Sequence, residues 1–363
     1  MRPRRVLMTA DAVGGIWTYA LELARGLAEQ GTEVMLAVIG PEPTADQRDA
    51  AIMVPGLVLI VPKLELEWQD RAGPLPPEAC QHLLGLEEAF RPDIVHCNGF
   101  REAAAGFTAP VVVVAHSCVR TWWEACRHEA LPPDWNAYAS GVRVGLAAAR
   151  AVVAPTEAFL ADFATAWGRL PRPRVIANGL DLELPPAPRR RPVVLTAGRL
   201  WDEAKNSVAL ARIARDLPWP VLMAGEPSAD GTDEAVRCLG HLPRRALHEV
   251  MAEAAIFVAP ARYEPFGLAA LEAAKLGCAL VLSNLPSFLE VWGDAARFVP
   301  PDDTGALRRS LRDLIDDHEA LGRLQAAAGA RARAFSRQPM VDRYLALYGE
   351  LLAGNDGRKG RAA

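Results

Sequence analysis

Short apolar runs alternate with helix-forming stretches twice along this chain, and a stretch dense in proline and arginine separates the two series. The first series places strands at residues 5–10, 33–39, 57–61, 94–97, 111–115 and 152–154, with helices over 16–30, 78–90, 137–150 and 157–167. The second places strands at 193–197, 221–224, 256–259 and 280–282, with helices over 207–215, 244–254, 268–276 and 304–316. Several of the apolar runs are continuous, as in strands buried on both faces. Strands alternating with helices predict parallel sheets with helices on both faces.

The break at 184–192 carries too much proline for regular structure and reads as a stiff linker. A length of 363 residues suits two domains, each able to bury its own core. The expected division is an N-terminal domain over 1–183 and a C-terminal domain over 193–337. A last helix over 338–352 and a disordered tail over 353–363 follow. Two doubly wound α/β domains joined this way predict a cleft between them.

Composition narrows the function. Hydrophobic residues make up 51% of the chain, which is globular rather than disordered. A net charge of -4 argues against nucleic acid as the main partner. Basic clusters at Arg2, Arg4 and Arg5, at Arg189, Arg190 and Arg191, and at Arg308 and Arg309 read as solvated faces. They leave room for peripheral contact with an anionic membrane surface. The six cysteines form no Cys-x-x-Cys pair and no zinc spacing, which fits a reducing cytoplasm. No apolar run reaches the roughly 20 residues of a spanning helix, and the N-terminus lacks a signal-peptide apolar region.

The chemistry concentrates between Tyr263 and Cys278. Glu264 follows an apolar run that ends at Pro260, so its carboxylate belongs on a loop at a strand's C-terminal end. Glu272 lies eight residues on, inside an Ala/Leu-rich helix. Gly267 lets the backbone approach a ligand closely, and the helix N-terminus offers N–H groups to an anion. In open α/β sheets this edge is where ligands bind.

Other groups fall at comparable edges. Gly14 and Gly15 follow the first strand and precede a helix, so they can bring N–H groups to a diphosphate or a sugar. They form neither a Gly-x-Gly-x-x-Gly nor a P-loop, which disfavours a nicotinamide cofactor. Arg199 and Lys205 lie on the loop after the first strand of the second series, where two fixed cations suit a diphosphate and, taken alone, read equally as ordinary surface charge. His116 ends the strand at 111–115. His96 also sits at a strand end and reads as structural. The segment 117–136 carries three Trp residues, which either line an acceptor site or cap the cleft.

These motifs resemble the GT-B glycosyltransferases, most closely family 4, over nearly the whole chain. The resemblance rests on Glu264-Pro265-Phe266-Gly267-Leu268 with Glu272, on Arg199 and Lys205, on Gly14, Gly15 and Tyr19, and on Asn178-Gly179-Leu180-Asp181. It implies a GT-B fold whose N-terminal domain takes the acceptor, whose C-terminal domain takes the nucleotide sugar, and whose last helix crosses back to the first domain. It implies a retaining transfer of a sugar from a nucleoside-diphosphate sugar to a glycan, a lipid-linked sugar or a small molecule, by an ion-pair-like front-face attack. It assigns catalysis to Arg199, Lys205, Glu264 and His116. It assigns donor binding to Gly14, Gly15, Glu264, Phe266, Gly267, Leu268 and Glu272, with Glu264 on the donor sugar and Glu272 on the ribose hydroxyls. No metal or other cofactor is implied, and the chain lacks an Asp-x-Asp motif.

Two departures from the family pattern stand out. Asn206 replaces a glycine that often follows the lysine, which bears on how the next helix starts. The stretch 226–236 is short, which bears on nucleobase contacts. Two other readings remain: a nucleotide-sugar epimerase, and a non-catalytic nucleotide-sugar-binding subunit of a polysaccharide assembly complex.

Overall fold

The computed structural model describes residues 1–70, 73–182, 190–226 and 234–359. Residues 183–189, most of the expected linker, lie outside the described residues, as do 227–233 of the shortened stretch and 360–363 of the tail. The chain divides into two compact units. The first comprises Met1–Glu124, Glu129–Leu180 and Arg337–Ala363, and the second Ala125–His128 and Asp181–Ser336.

The first unit holds a sheet of seven strands: β1 (Arg5–Ala10), β2 (Glu33–Val38), β3 (Val58–Ile60), β4 (Ile94–Cys97), β5 (Val111–Val114), β6 (Ala151–Ala154) and β7 (Arg174–Val175). Their order is β3-β2-β1-β4-β5-β6-β7, and every pair is parallel. The chain steps outward from β1 on one side and from β4 on the other. Right-handed crossovers then send the two sets of helices to opposite faces. Burial follows, with all four residues of β4, β5 and β6 buried. The helix Glu157–Trp167 starts where Thr156 Oγ1 accepts from the Phe159 N–H at 3.1 Å, a side-chain N-cap.

The second unit holds a sheet of six strands: β8 (Arg191–Ala197), β9 (Val221–Ala224), β10 (Val236–Gly240), β11 (Ala254–Ala259), β12 (Ala279–Ser283) and β13 (Arg297–Val299). The order is β10-β9-β8-β11-β12-β13, again parallel throughout. Its core gathers Val194, Leu210, Ile256, Val258, Val281 and Leu311, each fully buried. Arg190 anchors the entry to β8 by donating to the carbonyls of Ala254 at 3.0 Å and Leu276 at 2.8 Å.

Several elements differ from the sequence reading. β8 begins at Arg191, inside the stretch expected as linker. The helix at 207–215 is α-helical only over Ser207–Ile213 and then tightens into a 3-10 turn. The strands β7, β10 and β13 and the helices Ala45–Ile52, Val119–Arg127, Pro286–Trp292 and His318–Ala332 are additional. The last buries Leu321, Ala328 and Ala332, and a stripe made largely of alanine gives little periodic signal.

The final helix runs Arg337–Lys359, beyond the expected boundary at 353. Its glycines weaken it without a proline to stop it. It packs within the first unit. Arg337 Nε donates to Glu22 at 2.9 Å and its Nη1 to Glu29 at 2.8 Å, while Tyr344 and Tyr348 are fully buried. All six cysteines are free thiols. Among the described residues no helix is long and apolar enough to cross a membrane.

One close approach positions the loop after β4. Gly145, on the helix Asn136–Ala148, faces the Phe100 carbonyl so closely that a Cβ would overlap it. Gly145→Ala therefore pushes the segment from Phe100 away from its helix. Overpacking of this kind costs about 1–3 kcal/mol. Thermal unfolding of Gly145→Ala should show a midpoint lowered by several degrees, and an unchanged midpoint would contradict the packing.

Candidate functional site

In the second sheet the strand order reverses between β8 and β11. The connections that follow these neighbouring strands leave in opposite directions, and the gap at their carboxyl ends is where such sheets receive ligands. The register pairs Val194 with Ile256 and Leu195 with Phe257, so the two following loops emerge side by side.

The loop after β8 carries Arg199 and Lys205. Arg199 Nη2 lies 3.1 Å from Asp202 Oδ2, and its guanidinium sits 5.9 Å from the centre of the Trp201 ring. Asp202 also accepts from the Ala204 N–H at 3.0 Å, capping the short turn that ends at Lys205. Lys205 Nζ then reaches across to Glu264 Oε2 at 2.6 Å. The structure thus brings together three of the residues that the sequence named, on two loops 59 positions apart.

Asn206 explains how the helix starts without the usual glycine. It adopts the left-handed conformation, φ 49°, that asparagine tolerates better than most residues. Its Nδ2 donates to the carbonyls of Pro260 at 2.9 Å and Pro301 at 2.8 Å. One side chain therefore ties together the loops after β8, β11 and β13.

The loop after β11 is equally constrained. Ser287 Oγ donates to the Glu264 carbonyl at 2.5 Å. Gly267 caps the helix Leu268–Lys275 with φ 92°, and a Cβ there would meet the Phe288 ring. Phe266 is buried with its ring against Phe335, centroids 5.7 Å apart, so it faces the core and offers a ligand its backbone. Leu268 opens the helix and stands half-buried.

Glu272 lies on that helix and is buried. Its Oε1 accepts from Arg244 Nη2 and from His248 Nε2, both at 3.2 Å. Burial pushes the carboxyl pKa up, but the His248 hydrogen bond and the Arg244 charge outweigh it and hold the group below its ordinary value. The sequence reading missed both partners. They stand four apart on the helix Arg244–Glu253 and so share one face, the only signal the sequence offers.

In the first unit, Gly14 and Gly15 open the helix Gly15–Glu29 directly after β1, at the corresponding reversal between β1 and β4. His116 follows β5 and is half-buried, with Nε2 2.8 Å from Asn98 Oδ1 and its ring edge-on to Tyr19 at 4.5 Å. His96 is fully buried between Tyr19 Oη at 3.2 Å and Tyr348 Oη at 2.6 Å, a structural role. Burial pulls both imidazoles down to about 3, so both are neutral. Trp122, Trp123 and Trp135 stand half-buried as a chain of rings with centroids 5.9 and 6.4 Å apart. Gly179 of the Asn-Gly turn donates its N–H to Met340 Sδ at 3.3 Å, so that turn packs on the last helix.

Chemically, the second unit offers two cations and two carboxylates at one sheet edge, which suits an anion bonded to a polyol. Residues 13–184 match the family model described as Glycosyltransferase Family 4, and residues 191–317 the one described as Glycosyl transferases group 1. The chain is 29% identical over 396 residues to a D-inositol 3-phosphate glycosyltransferase of Xylanimonas cellulosilytica, covering 94% of this chain and 93% of that protein. It is 30% identical over 285 residues to a glycogen synthase of Mycobacterium tuberculosis, covering 68% and 66%. Among solved structures, sucrose-phosphate synthase from Thermosynechococcus elongatus superposes with a TM-score of 0.77 at 19% identity, over 97% of this chain and 100% of that one. HepE from Anabaena, solved with UDP and glucose, gives 0.74 at 16%, over 96% and 99%.

The state of Glu272 can be tested alone. A carboxyl with a lowered folded pKa contributes stability above its unfolded pKa and loses it as pH falls through the folded value. Arg244→Leu with His248→Leu leaves burial unopposed, so the Glu272 pKa should rise above the ordinary carboxylate range, as read by carbon NMR of its carboxyl. The stability deficit of this variant should be largest at neutral pH and narrow on acidification. A Glu272 pKa still below the ordinary value in the variant would contradict the clamp.

Proposed function

The chain belongs to glycosyltransferase family 4, and on that premise we propose that it transfers a sugar from a nucleoside-diphosphate sugar to an acceptor hydroxyl with retention of anomeric configuration. It is a glycosyltransferase with the GT-B fold. The UDP and glucose held by HepE, which shares this fold, support the donor class. The observation that carries the proposal is the meeting of Lys205 and Glu264 at the switch of the second sheet, with Arg199 on the same loop.

The roles follow from charge and geometry. Glu272 is kept ionised and can only accept hydrogen bonds, so it suits the vicinal hydroxyls of a ribose. Glu264 holds hydroxyls of the donor sugar, and His116 contacts a sugar hydroxyl. The N–H groups at Gly267 and Leu268, and those at Gly14 and Gly15, face substrate oxygens. When the bond between the anomeric carbon and the diphosphate oxygen breaks, its electron pair stays on that oxygen. Arg199 and Lys205 stabilise the charge that grows there. The acceptor oxygen bonds to the anomeric carbon on the face the diphosphate is leaving, and its proton passes to the departing phosphate. The arginine and the lysine supply the positive charge, so the reaction needs no divalent cation. The acceptor is a glycan, a lipid-linked sugar or a small molecule. The free thiols suit a cytoplasmic site of action.

The experiment incubates the protein with a panel of nucleoside-diphosphate sugars and candidate acceptors and reads the product linkage by NMR. Retention of configuration and full activity in EDTA are expected. Removing a preorganised charge stabiliser costs about 10²–10³ in turnover, so Arg199→Ala and Lys205→Ala should each lose activity on that scale. Activity abolished by EDTA and restored by Mg²⁺ or Mn²⁺, with near-normal rates in both variants, would overturn the mechanism.

A further inference from the structure

Asn98 follows β4 at the reversal of the first sheet. Its backbone N–H donates to Thr9 Oγ1 at 3.2 Å, and its side-chain Nδ2 donates to the Thr9 carbonyl at 2.8 Å. A carbonyl has no hydrogen to give, so the second bond fixes the orientation of the amide. The nitrogen faces Thr9 on β1, and the oxygen faces the histidines, bonding to His116 and acting on His96 as well. That oxygen lies 2.8 Å from His116 Nε2. An amide oxygen only accepts, so Nε2 carries the hydrogen. In a neutral imidazole the other nitrogen is then a bare lone pair. Among the described residues His116 Nδ1 has no hydrogen-bond partner.

The surroundings keep the ring uncharged. Tyr19, from the helix after β1, sets its ring edge against His116. His96, on β4, lies behind Tyr19 and bonds to it and to Tyr348 of the last helix. Tyr344, from the same helix, packs on His96 with ring centroids 5.2 Å apart. Burial pushes all three tyrosines up, so none of them ionises near neutral pH. Among the described residues no carboxylate acts on either imidazole to stabilise an imidazolium.

We propose that Asn98 is a positioning residue: braced on Thr9, it holds His116 as the neutral Nε2–H tautomer, so that Nδ1 presents a lone pair to a substrate sugar hydroxyl. The proposal rests on the reading of His116 as a sugar contact and gives that contact a selectivity. A bare Nδ1 accepts from a hydroxyl and repels a carboxylate. A sugar that is deoxy, or oxidised to a uronate, at the contacted carbon is therefore a poor substrate.

The test combines tautomer and kinetics in the full chain. Long-range proton–nitrogen NMR of ¹⁵N-labelled protein should find His116 protonated at Nε2 alone near neutral pH. Asn98→Leu should release a mixture of tautomers and lower kcat/KM about five- to tenfold, the worth of one hydrogen bond. In the His116→Ala background the same substitution should cost nothing more, because the two residues act as one unit. Asn98→Asp keeps an acceptor at Nε2, gives up the bond to the Thr9 carbonyl and adds a charge. It should restore the tautomer and move the acid limb of the pH profile to higher pH.

An Nδ1-protonated His116 in the wild type would overturn the proposal. So would an Asn98→Leu loss that is equally large without His116, since that marks a merely structural residue. Wild-type turnover in His116→Ala would instead overturn the sugar contact, and the NMR result separates that failure from a wrong tautomer.

Discussion

The contact between Lys205 Nζ and Glu264 Oε2, 2.6 Å long, is the interaction around which the second unit's site is arranged. It can form because β8 and β11 are hydrogen-bonded neighbours in a parallel sheet, which obliges their following loops to leave the same edge together. Both side chains are largely shielded, at 26% and 19% exposure, so solvent screens the pair less than a surface ion pair. Around it the structure removes freedom. Asn206 fixes the lysine loop to Pro260 and Pro301, Ser287 fixes the Glu264 carbonyl, and Asp202 holds Arg199. An anion at this edge therefore meets cations whose positions are already set, the condition under which charge stabilisation is strongest.

The two units use opposite electrostatic strategies. In the second, buried Glu272 stays charged because Arg244 and His248 outweigh its desolvation. In the first, His96 and His116 lose their charge because burial dominates: the Asn98 hydrogen bond on His96 does not offset it, and among the described residues no carboxylate acts against it. The same low dielectric gives both results, and the neighbours decide which. The neutral His116 and the charged Glu272 are both hydrogen-bond acceptors, reached from different directions.

Much of this was legible in the sequence because parallel strands buried on both faces are continuous apolar runs. Runs such as 111–114 fix the sheet almost residue by residue. The edge strands β7 and β13 were not legible, since two or three residues carry no period. Strand ends and helix starts place Glu264, Glu272, Arg199 and Lys205, and the resemblance to family 4 is what singles them out. Nothing singles out their partners. Arg244 and His248 lie on a separate helix, 28 and 24 positions before Glu272. Tyr348 meets His96 across 252 positions. Asn98 carries no such signal, and only the pairing of Thr9 with Cys97 between β1 and β4 brings the next residue onto Thr9.

The most direct measurement is calorimetric titration with a nucleoside diphosphate across the four proteins of a Lys205→Met and Glu264→Gln cycle. On the proposed reading Glu264 competes with the diphosphate for Lys205 in the wild type. Removing that competition by Glu264→Gln should tighten binding several-fold at low salt, by about 1 kcal/mol, the scale of a partly exposed charge pair. With Lys205 already replaced, most of this gain should disappear, and Lys205→Met alone should weaken binding. Unchanged affinity in Lys205→Met, with the same Glu264→Gln effect in both backgrounds, would contradict the account, because the diphosphate would not then be bound by this pair of loops.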